Sequence, residues 1–295
     1  MRAPRRDRAE RPLLVLALLA GSALLALYFA VVRTYWGQRL DEHAFVGRAV
    51  IGGRPAEGAD DLLSIISTGT LALAIVGLIA LALLRGKPAL ALLSLLVVAG
   101  SLLVTEVLKL VVLERPPLVP SAVLDNSFPS GHATIGIAVG LAMVMVVPAG
   151  LRIAAGIGAT MLGAGVGIAT VAAGWHRPSD AVAACLVALA VAAALSAAML
   201  RWGPGEDVEE EPAAGSRPHG LARLRLGTPE LILGVLSLGA GGLFLLALLR
   251  AEGVPWTSAG VGFLLSAGAI AASAAIAAAA LVAALGRRGD EAPGA

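Results

Sequence analysis

Charge is scarce in this chain. Asp, Glu, Lys and Arg make up 14% of its 295 residues, against about 25% in a soluble domain. That scarcity excludes a disordered chain and a typical cytosolic enzyme. Cysteine is scarcer still. Cys185 stands alone, so neither an internal disulfide nor a thiolate metal site can form, and a secreted disulfide scaffold is excluded. Lysine is nearly missing: Lys87 and Lys109 are the only two among 22 basic residues. The net charge of +2 is too small to draw the chain to nucleic acid, and no such partner is expected. What the chain has in abundance is apolar surface, with 58% hydrophobic residues and a mean hydropathy of +0.87. These values point to an integral membrane protein of several helices. The arginine-heavy, Ala- and Gly-rich composition fits a high-GC bacterial genome.

A bilayer-spanning helix needs roughly 20 mostly apolar residues. Eight such stretches are present: 12–33, 62–84, 88–113, 131–148, 152–173, 178–200, 229–250 and 258–285. The expected fold class is therefore all-α, a polytopic membrane helix bundle. The first stretch follows Arg2, Arg5, Arg6, Arg8 and Arg11, which imitates a signal peptide. Its apolar run is long and lacks a small-residue cleavage site, so an uncleaved anchor is expected. With the N-terminus in the cytoplasm, fourteen of the 22 basic residues fall on the inner side. By the positive-inside rule both termini are then cytoplasmic, and the loops at 34–61, 114–130, 174–177 and 251–257 are extracytoplasmic.

The segment 203–220 carries Gly, Pro and the acidic residues Glu206, Asp207, Glu209, Glu210 and Glu211, a linker composition. It suggests three parts: a six-helix core (1–200), a flexible acidic linker (201–228) and a two-helix appendix with its tail (229–295). The appendix has no histidine, and its last span is dominated by Ala, Gly and Ser, which suits close helix packing. A scaffold or dimerising role is expected of it, with a homo-oligomer formed through these helices.

Chemistry concentrates in three polar islands that the topology brings to one face. In the first, Pro129-Ser130-Gly131-His132 opens a span. Ser suits a helix cap, Gly allows close backbone approach, and the N–H groups of a helix start form an anion site. His132, in the first turn, can donate or take a proton. The same residues also suit a plain helix cap with an interfacial histidine. In the second island His176 and Asp180 are four apart, with Pro178 suited to the first helical turn. Asp180 can orient the His176 ring as a nucleophile or base, or serve as an N-terminal helix charge. The third island closes span three. Lys109 is an ionisable group in an apolar helix, costly unless used or paired with Glu106. Arg115 offers a planar fork for phosphate oxygens, or an interfacial anchor. Together these residues could bind a phosphate, attack phosphorus with one imidazole and protonate the leaving group with the other. Two histidines and an aspartate could instead hold a metal, but the nearby cations oppose one, and neither metal nor cofactor is expected.

These islands resemble the motifs of the type-2 phosphatidic acid phosphatase superfamily, the membrane lipid phosphate phosphatases. That pattern reads Lys-x6-Arg-Pro, then Pro-Ser-Gly-His, then Ser-Arg-x5-His-x3-Asp. Residues 129–132 match the second motif in full, and His176 with Asp180 matches the end of the third. The resemblance spans about residues 12–200. It implies His176 as the nucleophile of a phosphohistidine, Asp180 as its orienting partner and His132 as the acid for the leaving oxygen. It implies further that Lys109, Arg115, Ser130 and the Gly131 backbone hold the phosphoryl oxygens, without a metal, at the extracytoplasmic face. The implied substrates are lipid phosphates or polyprenyl diphosphates.

Two departures stand out. Five residues, not six, separate Lys109 from Arg115. Positions six apart on a helix differ by about 120°, so Arg115 can join Lys109 only if the helix ends first. Pro116 and Pro117 favour such an end. In the third motif Ala169-Thr170 replaces Ser-Arg, so one expected guanidinium is absent. Thr170 could offer a weaker hydroxyl contact. Arg177 could substitute for the missing cation or could snorkel to lipid headgroups, and snorkelling is the expectation. Two other functions compete with the phosphatase: lipid-phosphate binding without turnover, and lipid transport. Transport sites usually lie near the bilayer midplane, whereas these islands crowd one surface.

Overall fold

The computed structural model describes residues 3–51, 58–59, 61, 63–64, 68–123, 125–202 and 258–286. Eight α-helices are present among them: α1 (Ala3–Leu27), α2 (Tyr35–Val46), α3 (Thr68–Leu84), α4 (Pro88–Val107), α5 (Gly131–Val146), α6 (Arg152–Ala172), α7 (Pro178–Trp202) and α8 (Ser258–Gly286). The fold is an all-α polytopic bundle, as the apolar runs imply. Among the described residues, five segments are long and apolar enough to cross a membrane: Glu10–Val32, Pro88–Val112, Ala149–Ala172, Pro178–Trp202 and Ala259–Gly286. Gly69–Leu84 and Gly131–Val146 are shorter apolar helices. The expected span at 229–250 and the linker at 203–220 lie outside the described residues.

Helix α5 is apolar on every side and buries 11 of its 16 residues, which makes it a central rod. It lies among α4, α6 and α7. Its 16 residues reach only about 24 Å, short of the roughly 30 Å of bilayer hydrocarbon. Its first residue therefore begins within the bundle, and Ser127, Phe128 and Ser130 ahead of it are buried. Helix α7 packs against α1, α4, α5 and α8. Outward faces carry exposed Leu18, Phe29, Leu73, Leu110 and Leu265, the surface expected toward lipid chains. Helix α8 shares this core. Its Phe263, Ala267, Ile270, Ala274 and Leu281 are buried in the same cluster as residues of α5, α6 and α7. Small residues permit the approach: a Cβ at Gly167 would lie 2.8 Å from Ile270 Cγ2.

The stretch 34–61 differs from the loop expected there. Thr34 caps α2 by accepting from Gly37 N at 3.0 Å, and a 3₁₀ turn (Gly47–Ile51) follows. Helix α2 turns Gln38, Asp41 and Phe45 inward and leaves Tyr35, Trp36 and Leu40 exposed. A search for long apolar runs misses such a helix, because its inner face is polar and its aromatic outer face suits a membrane interface.

The α4 end resolves the Lys109–Arg115 spacing. Its last turn widens into a π-helix (Leu108–Val112), and Leu113 is extended. Arg115 thus leaves the helix before it would point away. Asn126 secures this end by donating to Lys109 O at 2.9 Å and Leu113 O at 2.7 Å, carbonyls that a helix end otherwise leaves unpaired.

Candidate active site

The three islands meet at one end of the bundle, and Asp180 is where they join. It is fully buried in the first turn of α7. Its Oδ2 lies 3.4 Å from His176 Nδ1 and accepts from Ser127 Oγ at 2.5 Å and Arg177 N at 3.0 Å. Its Oδ1 accepts from Arg115 Nη2 at 2.9 Å. Its carbonyl accepts from Ser130 N at 3.0 Å. One residue thus touches the candidate nucleophile, the α4 extension and the loop that opens α5.

Arg115 is buried between two carboxylates. Besides Asp180, its Nη1 reaches Asp41 Oδ2 at 3.4 Å, and its Nη2 reaches Ser179 Oγ at 3.3 Å. Nε has no hydrogen-bond partner. Asp41 comes from α2 and also accepts from Ser179 N at 2.9 Å and Ser179 Oγ at 2.6 Å. Burial pushes the Asp41 carboxyl above the usual carboxylate range. Nearby Asp180 adds to that shift, while Arg115 and the Ser179 hydrogen bonds oppose it.

Arg177 does not snorkel. It is 4% exposed. Its Nη2 donates to Ser121 Oγ at 2.7 Å and Val123 O at 2.5 Å, its Nη1 to Ser127 Oγ at 3.4 Å and its Nε to Glu42 Oε2 at 3.4 Å. The competing pull is local: the 121–127 loop and Glu42 supply acceptors inside the protein, so the guanidinium has no need of lipid headgroups. Thr170 is also committed. Its hydroxyl donates to Gly167 O in its own helix at 2.8 Å. Its carbonyl is what meets the loop that carries His176, accepting from Trp175 N at 3.0 Å and His176 N at 3.1 Å.

At the start of α5, Ser130 accepts from Ala133 N at 3.4 Å, the cap expected of it. The His132 ring stands edge-on to Trp175, centroids 5.3 Å apart, beside the neighbour of His176. Lys109 Nζ donates to Glu106 Oε1 at 2.6 Å. This pair sits against the α5 start: a Cβ at Gly131 would lie 3.1 Å from Glu106 Oε1 and 3.9 Å from Lys109 Nζ. Lys109 is therefore both paired and near the helix N-terminus. Among the described residues, no three His, Cys, Asp or Glu side chains are grouped to hold a metal ion.

Sequence reasoning missed Asp41 and Glu42 as members of this site and gave Ser127 and Ser179 no role, whereas the Lys109–Glu106 pair is the one the spacing offered. The available signal was the acidic pair Asp41-Glu42 in a chain otherwise poor in charge.

The fold is thus a polytopic helix bundle with histidines, cations and a buried aspartate at one end. Residues 89–204 match the PAP2 superfamily. The match contains Lys109, Arg115, Ser130, His132, His176 and Asp180, but not Asp41 or Glu42. No curated protein matches the chain, and neither does any solved structure. Family and helices together support a membrane phosphatase in general.

Asp41→Ala removes the partner of Ser179 N, Ser179 Oγ and Arg115 Nη1 at once. It should cost about 3–5 kcal/mol, as expected for breaking a buried pair from one side. Asp41→Asn keeps an acceptor and should cost less. Thermal unfolding of the purified protein in detergent checks the order, and an Asp41→Ala midpoint equal to wild type would contradict it.

Proposed function

We propose that this protein hydrolyses a lipid phosphate or polyprenyl diphosphate through a phosphohistidine on His176, without a metal. The observation that carries the proposal is the His176 Nδ1 contact with the buried Asp180 carboxylate at 3.4 Å. That contact fixes the ring and leaves Nε2 for attack. The Nε2 lone pair forms the N–P bond while the P–O bond to the lipid breaks. His132 gives its proton to the departing oxygen. Water then attacks phosphorus, His132 takes the water proton, the N–P bond breaks, and inorganic phosphate leaves with His176 restored. Lys109, Arg115, Ser130 and the Gly131 backbone are proposed to hold the phosphoryl oxygens, where charge stabilisation is the main requirement. Arg115, whose Nε is buried without a hydrogen-bond partner, is proposed to contribute there by its charge.

Residues 1–200 form the proposed phosphatase unit, followed by the linker at 201–228. The segment 229–295 is proposed as a supporting element, with α8 packed on the core and a homo-oligomer formed through these last helices. We place the site on the extracytoplasmic side and both termini in the cytoplasm, from the arginine bias alone.

Binding without turnover draws on one observation: carboxylates already hold Lys109 and Arg115. Phosphate release by purified protein in the presence of a chelator separates turnover from binding and from transport.

His176→Ala should abolish both phosphate release and an acid-labile phosphoenzyme. His132→Ala should slow release by about 10²–10⁴-fold for alkyl phosphates, and less for substrates with good leaving groups. Full activity in His176→Ala refutes the mechanism. For the orientation, single cysteines at Ala122 and Ala149, both exposed, in a Cys185→Ser background should label oppositely in intact cells. An impermeant maleimide should reach Ala122→Cys and not Ala149→Cys, and the reverse pattern would invert the topology.

A further inference from the structure

Every cation discussed so far at this end of the bundle is engaged by a carboxylate. Lys109 is held by Glu106, Arg115 by Asp41 and Asp180, and Arg177 by Glu42. Arg48, in the 3₁₀ turn after α2, differs. Among the described residues no carboxylate closes an ion pair with it. Among the described residues its one hydrogen bond runs from Nη1 to Phe45 O at 2.9 Å, which leaves Nε and Nη2 as donors. The guanidinium is fixed nonetheless, because its Cζ stacks 3.8 Å from the Phe45 ring centroid.

It packs against the loop that carries His176. Gly174, two residues before His176, has φ +81. A Cβ there would lie 3.0 Å from Arg48 Nε and 3.4 Å from Nη2. Any side chain at 174 would crowd the guanidinium as well as strain the turn. The 3₁₀ turn is itself braced from behind, since a Cβ at Gly47 would run into the Ala259 carbonyl of α8. Burial pulls the Arg48 guanidinium below its ordinary value, opposed by Glu42. A partly desolvated cation of this kind gains from an anionic ligand.

We propose that Arg48 is the phosphate-binding guanidinium that this chain uses in place of the arginine missing at Thr170, its Nε and Nη2 donating to phosphoryl oxygens on His176. The assignment rests on the phosphatase reading for its role in turnover, but not for anion binding itself. It lies outside the matched segment 89–204. It also gives α8 a task, holding the turn that presents Arg48.

The test uses the full-length protein in detergent with a lipid phosphate substrate and with orthovanadate, a phosphate mimic. Arg48→Ala should lower kcat/KM by about ten- to a hundredfold, the value of hydrogen bonds to a charged group, and weaken orthovanadate inhibition to a similar extent. Arg48→Lys should retain part of both, and added guanidinium ion should restore part of the Arg48→Ala loss. Arg39→Ala, which removes an exposed cation stacked on Trp36, should change neither. Wild-type kcat/KM and orthovanadate inhibition in folded Arg48→Ala would overturn the proposal. If Arg48→Ala fails to fold, Arg48→Gln decides by the same two readouts, since it can still donate to Phe45 O. If the wild type releases no phosphate, the phosphatase reading falls and orthovanadate binding, read by thermal shift, decides for Arg48. Loss of that shift in the variant supports the proposal. An unchanged shift, or none in the wild type, overturns it.

Discussion

The site depends on one buried carboxylate. Asp180 has no solvent of its own, so its charge must be balanced from within. Arg115, Ser127 and the Arg177 amide meet its oxygens, and His176 lies beside them. Each partner comes from a different stretch: the α4 extension, the loop before α5 and the turn before α7. A buried ion pair of this kind contributes little net stability over an apolar alternative, but it fixes geometry, since any partner out of place leaves a charge unpaired. The carboxylate that would orient the nucleophile is also what holds its surroundings together.

That arrangement redistributes the cations. Arg115 is drawn toward Asp180 and Asp41, and Arg177 toward Glu42 and the 121–127 loop. Two guanidiniums that sequence spacing offers to a phosphate are thus partly or wholly occupied in building the site. The unmatched α2 segment supplies both Asp41 and Glu42, so the helix that diverts these arginines is also the one that leads into Arg48. Thr170 keeps its hydroxyl within its own helix, while acidic residues of α2 hold Arg115 and Arg177.

The helices were legible because apolar length is a strong signal. Seven of the expected spans overlap described helices: five start at the expected residue, whereas α1 starts at Ala3 rather than at 12 and α3 is described from Thr68 rather than from 62. The motif residues were legible too, because Ser-Gly-His at a helix start and His-x3-Asp before another are local patterns. Helix α2 was not legible. Its buried side is polar, and burial of Gln38 and Asp41 depends on partners some 75 to 140 residues away in the chain. The fate of Arg177 failed for the same reason: a solitary arginine near a helix start reads as interfacial unless the Ser121 hydroxyl and Val123 carbonyl that receive it are known. The Lys109–Arg115 gap was resolved by an early helix end, as the following prolines allow, with a π turn that spacing alone does not reveal.

The most direct measurement of the central claim is the rate of phosphoenzyme formation in Asp180→Asn, followed by rapid quench with a labelled lipid phosphate. The asparagine keeps the shape but supplies no charge to hold the His176 ring in its tautomer. The account predicts a fall of about 10²–10⁴-fold in phosphohistidine formation, together with a lower unfolding midpoint because Arg115 loses one of its two counter-charges. Phosphoenzyme formation at the wild-type rate in a folded Asp180→Asn protein would contradict it.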